Sequence, residues 1–199
     1  DALSQKLLSN LAIAFIPLAS LGALFGSQIK TLLFKPVPVA LAFIIGAFVI
    51  IWAEKREHKI RIEDISDLNT LDAFLLGLAQ AFALIPGTSR SGATIIGGLF
   101  LGLSRKAATE FSFFLAIPTL FIASLYDLYK HRELIDLNND LISISAGMIA
   151  AFFSALIAVK ALLRYISHHS FILFAWYRIA FGVLVLFTAY SGIVHWTMD

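Results

Sequence analysis

The sequence predicts an all-α, polytopic membrane protein with five transmembrane helices and one re-entrant helical hairpin. Three observations carry that prediction. Hydrophobic residues make up 59% of the 199 and charged residues 14%, the latter roughly half the share of an ordinary soluble domain. So little polar surface cannot coat a soluble globule, which excludes a free-standing soluble enzyme, a coiled coil and a disordered chain. Five stretches are apolar over the roughly 17–25 residues that a helix needs to cross the hydrocarbon core. A further apolar region, Leu71–Leu103, consists of two shorter arms around a polar break.

The five spans are Leu11–Ile29, Pro36–Ala53, Ala107–Tyr129, Leu141–Leu163 and Ile172–Val194. Pro17 and Pro118 fall inside two of them. Proline is tolerated in membrane helices because neighbours re-satisfy the carbonyl it frees. Trp52, Tyr126, Tyr129, Tyr190 and Trp196 sit near span ends, where aromatic belts lie.

The region between the second and third spans reads LDAFLLGLAQAFALIPG, then TSR, then SGATIIGGLFLGL. At about 1.5 Å per residue its arms reach roughly 25 Å and 20 Å, short of a ~30 Å core. The economical reading is a hairpin whose tip stops inside the membrane. Two thin spans joined by a surface loop are the alternative. Irregular backbone at membrane depth survives only when buried in protein or facing a water-filled cavity, so the tip is a candidate site.

Positive charges sort by side. Lys6, Lys55, Arg56, Lys59, Arg61, Arg105, Lys106 and Arg164 fall on one side, and Lys30, Lys35, Lys130 and Arg132 on the other. The richer side is expected in the cytoplasm, which places the C-terminus outside. The net charge of +2 is not concentrated in any long basic run, so no nucleic-acid partner is expected. The absence of cysteine excludes disulfides and thiolate metal sites. The chain starts at Asp1 with no basic segment, apolar stretch and cleavage site in succession, so no signal peptide is read.

Pro86-Gly87-Thr88-Ser89-Arg90-Ser91-Gly92-Ala93-Thr94 is the densest polar cluster in any apolar region. Pro86 ends the first arm and Gly87 permits a sharp turn. Ser89 or Ser91 is placed to cap the second arm, leaving amides at Gly92 to Thr94. Those amides and the helix dipole form an anion site. Arg90 adds a planar fork suited to phosphate oxygens. Thr88, Ser89, Ser91 and Thr94 offer hydroxyls to the same cradle. The competing reading has Arg90 merely pinning the tip to a carboxylate or to backbone carbonyls.

Other polar residues receive plainer readings. Gln80 lies deep in the first arm and either bonds to the tip or is satisfied in packing. Gly98-Leu-Phe-Leu-Gly102 is a small-residue motif for close helix approach. Glu110 reads as a surface ion pair or an inward carboxylate. Arg178, about two turns into the last span, reads as snorkelling or an interhelical pair. The five histidines, His58, His131, His168, His169 and His195, fall in loops or at ends with no metal-ligand spacing.

Gly77-Leu-Ala-Gln80 followed by Ala83-Leu-Ile-Pro86-Gly87-Thr88-Ser89-Arg90-Ser91-Gly92-Ala93-Thr94 resembles the second signature of the bacterial undecaprenyl-diphosphate phosphatase family, known for bacitracin resistance. Ala108-Thr-Glu110-Phe-Ser112-Phe-Phe-Leu-Ala-Ile-Pro118 matches the segment that follows it there, and the later spans fit its spacing. The resemblance implies hydrolysis of undecaprenyl diphosphate to undecaprenyl phosphate and inorganic phosphate in the bacterial inner membrane. That reaction recycles the lipid carrier of peptidoglycan synthesis. The resemblance also implies an inverted-repeat architecture, each half being a hairpin and three spans. Residues 11–53 would then hold two spans of the first half, and 71–194 the whole second half. Arg90, Ser89 and Ser91 are the expected catalytic residues. Gly87, Thr88, Gly92, Ala93, Thr94 and Gln80 are expected to bind substrate.

The family's first signature, with glutamates, a serine and a histidine on an N-terminal hairpin, has no counterpart in this sequence. The resemblance implies a divalent cation, Mg or Ca, whose ligands belong to that hairpin, so no metal ligand is assigned here. The chain is read as lacking the first hairpin and one span, and is expected to be inactive alone. Expected partners are a polyprenyl diphosphate lipid and the bilayer, with a homodimer left open. The alternative function is a transporter or flippase of phosphorylated polyprenyl lipid. The unrelated acid-phosphatase-like lipid phosphatases are set aside, because their signature blocks are absent.

Overall fold

The computed structural model describes residues 2–57, 59–134, 137–166, 168–192, 194 and 196. His58 and His195 lie outside the described residues. The described chain is helical: α1 (Ala2–Leu33), α2 (Pro36–Lys55), α3 (Thr70–Ala81), α4 (Arg90–Phe100), α5 (Arg105–Lys130), α6 (Leu137–Ile166) and α7 (Ile172–Ser191). Five helices, all but α3 and α4, are long and apolar enough to cross a membrane. Large apolar side chains cover their outer faces, among them Leu24, Ile45, Phe121 and Phe187. In a bilayer that exposure faces lipid.

Most helices run a few residues past the boundaries read in the sequence, and two differences stand out. α1 begins about two turns before Leu11 and continues through Pro17 without a break. α7 stops at Ser191, not Val194, because Gly192 takes a left-handed conformation (φ 68°) and ends the helix, a common C-terminal glycine role.

The hairpin is formed by α3 and α4. With 12 and 11 residues they extend about 18 Å and 17 Å, and neither spans a core of about 30 Å. α3 opens on a capping box, in which Asn69 Oδ1 accepts from the Asp72 amide and Asp72 accepts from the Asn69 amide. A short 3₁₀ turn (Phe82–Leu84) closes the arm. The two arms touch where a Cβ on Gly97 would run into Ala79. α3 also rests on α1, with Gly77 directly against the Ala14 backbone. Small residues at that crossing let the helix backbones meet.

Gly98 packs on Ala108 of α5, but Gly102 lies past the end of α4 with φ 82°. The second glycine of the small-residue motif therefore makes a turn rather than a helix contact. That turn brings Gly102 O to the amides of Arg61 and Ile62, and Ser104 donates back to Ile62 O.

The charged ends of several elements meet at this base. Lys6 Nζ donates to Ser66 O, and Arg61 pairs with buried Asp72 and bonds Leu101 O. Arg61 is held above its ordinary pKa by its bond to Asp72. Glu54, whose carboxylate is almost fully buried, pairs with Arg105 and accepts from the Phe171 amide. The end of α2 is thereby tied to the starts of α5 and α7. Elsewhere α2 packs along α7, and α4 along α5. The core gathers near the base around Ile62, Leu68, Leu76, Leu103 and Phe111.

Candidate active site

The tip of the hairpin is a backbone device. Gly87 has φ 92° and sits so close to α2 that a Cβ would strike Val39 O. Ser89 has φ 72°, ψ 118°, and is the one non-glycine residue with positive φ among the described residues. Such a conformation costs of order 1–3 kcal/mol and persists only where its surroundings enforce it. Here it turns the Ser89 side chain over the start of α4. Ser89 Oγ accepts from the Gly92 amide at 3.2 Å and lies 3.4 Å from Ser91 Oγ.

The amides expected at Gly92 to Thr94 are not the open ones. Gly92 is engaged by Ser89 Oγ and Ala93 by Ser89 O, as an N-cap serine dictates. The amides a helix N-terminus leaves over are then those of Arg90 and Ser91. Thr94 is also turned away. It is fully buried, and its hydroxyl donates to Arg90 O within the helix.

Arg178 of α7 completes the tip. It is 7% exposed. Its Nη2 donates to Gly87 O at 2.8 Å and to Ala42 O at 3.2 Å, and its Nε to Phe43 O at 3.3 Å. It does not snorkel; it is an interhelical tie, made to carbonyls rather than to an acid. Gly46 gives it room, since a Cβ there would collide with Nη2. Its remaining nitrogen, Nη1, lies beside Gly92 at the α4 N-terminus.

Arg90 points toward α5. Its Nη1 donates to Ser112 O at 3.0 Å, so pinning to a carbonyl is real for one of its five donors. Gln80 and Ser112 are fully buried, and Gln80 Nε2, Gln80 Oε1 and Ser112 Oγ lack a hydrogen-bond partner. Glu110 pairs outward with Lys106 at 3.9 Å. His169 stacks on Tyr165.

Two cavities flank the α4 N-terminus. The first, about 530 Å³, is lined by Gly87, Ser89, Ser91, Gly92 and Arg178, with Phe43, Phe174 and Tyr177 among its apolar walls. The second, about 650 Å³, lies between α2 and the hairpin and includes Thr88, Gly92 and Ala93. The expected site residues are thus divided. Gly87, Ser89, Ser91 and Gly92 open on the first cavity, and Thr88 and Ala93 on the second. Gln80 and Thr94 are enclosed.

The electrostatics point to an anion. Among the described residues the ion pairs are Arg61–Asp72, Arg105–Glu54 and Lys106–Glu110. Among the described residues neither Arg90 nor Arg178 is paired with a carboxylate. Arg178 Nη1 beside the start of α4 favours an anion there, whereas the Arg90 guanidinium lies against Ser112 O and lines neither cavity. Hard divalent cations take carboxylate and carbonyl oxygens. The described residues offer no group of three His, Cys, Asp or Glu side chains. The cradle's own donors do not fit Mg or Ca.

Ser89 yields a sharp prediction. Ser89→Ala keeps the strained φ and loses the cap, whereas Ser89→Gly loses the cap and relieves the strain. The alanine variant is expected to be less stable by about 1 kcal/mol. Thermal unfolding of both in detergent measures the difference. Equal midpoints would contradict the positive φ.

Fold and site together define a polytopic helical membrane protein that presents a capped helix N-terminus and a buried arginine at the tip of a short hairpin. The sequence profile described as bacitracin resistance protein BacA matches residues 1–184, and the chain belongs to that family. It is 62% identical over 198 residues to "Undecaprenyl-diphosphatase 2" of Rhodospirillum rubrum, covering 99% of this chain and 72% of that protein. It is 63% identical over 196 residues to "Undecaprenyl-diphosphatase" of Dechloromonas aromatica, covering 98% and 71%. The protein of that name from Nitrosomonas europaea is 58% identical over 196 residues, with the same coverage.

Arg178 is the residue at the tip that sequence reasoning left out of the site, although an interhelical contact was one of the two readings given to it. An arginine in an apolar span was a visible signal. Its partners were not, because backbone carbonyls leave no trace in the side-chain pattern.

Proposed function

We propose that the chain is an undecaprenyl-diphosphatase, hydrolysing undecaprenyl diphosphate to undecaprenyl phosphate and inorganic phosphate. This reaction regenerates the lipid carrier of cell-wall synthesis and accounts for bacitracin resistance in the family. The observation that supports it is Arg178, without a carboxylate partner among the described residues, beside the capped N-terminus of α4 that Arg90 begins, joined to the names of the relatives. In the reaction, a water oxygen bonds to the terminal phosphorus as the bond from that phosphorus to the bridging oxygen breaks. The leaving phosphate monoester takes the electron pair, and the water's protons pass to the products and solvent. Negative charge builds on the transferred and leaving oxygens, where fixed guanidinium and amide donors stabilise it most. Ser89 and Ser91 orient the diphosphate by hydrogen bonds. No step is assigned to a divalent cation, although the family resemblance leads us to expect one.

The proposed setting is the bacterial cytoplasmic membrane. The charged base formed by Lys6, Arg61 and Arg105 faces the cytoplasm, and the C-terminus lies outside. Residues 11–53 are assigned to two spans of a first inverted half, and 71–194 to the complete second half.

The test is phosphate release from undecaprenyl diphosphate by a purified protein that joins this chain to the family's first hairpin and span, in bilayers, with inorganic diphosphate as a competing ligand. Turnover well above the protein-free rate is expected. Headgroup translocation across vesicles without phosphate release would replace the hydrolase with a flippase.

A further inference from the structure

We infer that the second cavity, the trough between α2 and the hairpin, holds the isoprenoid chain of the lipid diphosphate, with its first units passing over Gly92 and Ala93. The inference rests on the proposed function and deepens it. Of the seventeen residues lining the trough, Thr88 alone has a polar side chain. Its volume of about 650 Å³ lies within the range of small-molecule sites. Small residues form its floor: Ala42 and Gly46 on α2, Ala93 and Gly97 on α4. Leu41, Ile45, Phe82 and Phe100 form its rim and are exposed on the outer surface, where a bilayer supplies hydrocarbon. The trough is therefore continuous with the lipid phase on one side.

On the other side it reaches the cradle. Gly92, Ile50 and Ile96 line both cavities, so only the first turns of α4 and one residue of α2 separate them. Gly92 carries no side chain to block the passage. A diphosphate held by Arg178 and Ser89 in the first cavity has its lipid end directed across this saddle. The first cavity also has apolar walls, Phe43, Leu162 and Phe174 among them, but it holds Ser89, Ser91 and Arg178, the partners proposed for the head. An isoprenoid moving from lipid into an apolar trough gains little hydrophobic free energy, since both surroundings are apolar. Its benefit is close contact and orientation. The trough therefore acts by fixing the diphosphate against α4, and narrowing it impairs productive binding of the lipid without touching a tail-less ligand.

The test uses Ile45→Trp and Val49→Trp, at positions on the outer surface of α2. Each is expected to lower kcat/KM for undecaprenyl diphosphate at least about tenfold, with the inhibition constant of inorganic diphosphate unchanged. A diazirine on the first isoprene unit of a polyprenyl diphosphate is expected to label the Leu41–Val49 stretch and Ala93. Labelling confined to Phe171–Tyr177 would overturn the trough while leaving the hydrolase reading intact. So would equal losses for lipid and inorganic diphosphate, or no loss for either. Absence of turnover by the unaltered joined protein would sink the hydrolase reading itself, and the trough with it.

Discussion

Arg178→Lys is expected to lower turnover of undecaprenyl diphosphate by about a hundredfold or more and to lower stability by about 3 kcal/mol. The charge survives this change but the fork does not. The guanidinium uses Nε and Nη2 to hold Phe43 O, Ala42 O and Gly87 O together and still presents Nη1 beside Gly92. An ammonium is a single point with three donors. It cannot clamp α2, seat the tip and face the cavity at once. Gly46 provides the decisive control. In the unaltered protein a Cβ at position 46 collides with Arg178 Nη2, so Gly46→Ala is expected to be costly. In the Arg178→Lys background the obstacle is gone, and the same change is expected to be nearly neutral. A double-mutant cycle by thermal unfolding in detergent measures this coupling. If Gly46→Ala costs the same in both backgrounds, the clamp is not what the geometry indicates.

The fold was legible in the sequence where the membrane dictates it. Apolar length alone placed four of the five spanning helices to within a few residues, because a span is set by the thickness of the core, and missed the first two turns of α1. The short arms of the hairpin were legible for the same reason. What escaped depends on backbone detail. Gly192 ends α7 early, and Gly102 turns out of α4. Gly102 reads equally well as a small helix-packing residue, and Gly192 as one more residue of an apolar span. At the site, the identity of the polar tip was clear from Pro86 to Thr94. Its directions were not. Only the observed φ of Ser89 shows which amides its side chain and carbonyl engage, and only the packing of α2 on α7 brings Arg178 to Gly87. A motif fixes which groups are available. The tertiary fold fixes which face they share.

Arg90 and Arg178 differ in how much structure depends on each, and this separates catalytic from structural loss. Arg90 is half-buried, and among the described residues its side chain makes one bond, to Ser112 O. Losing one charge-assisted bond to a carbonyl costs about 1.5–3 kcal/mol, so Arg90→Ala is expected to fold with its helices intact. Its turnover is expected to fall by about 10²–10³-fold, the range for removing one preorganised donor from developing negative charge. Arg90→Lys should restore part of kcat, because charge returns without the planar fork. Ser112→Ala distinguishes the anchor from the side chain that carries it. Arg90 bonds the Ser112 carbonyl, and the Ser112 hydroxyl is buried with no partner. Removing an unsatisfied buried hydroxyl is close to neutral, so Ser112→Ala is expected to retain near-normal turnover and stability. Phosphate-release kinetics for the three variants, with circular dichroism to check helix content, decide the matter. A folded Arg90→Ala protein with unimpaired kcat would remove Arg90 from the chemistry and leave Arg178 as the arginine that meets the diphosphate.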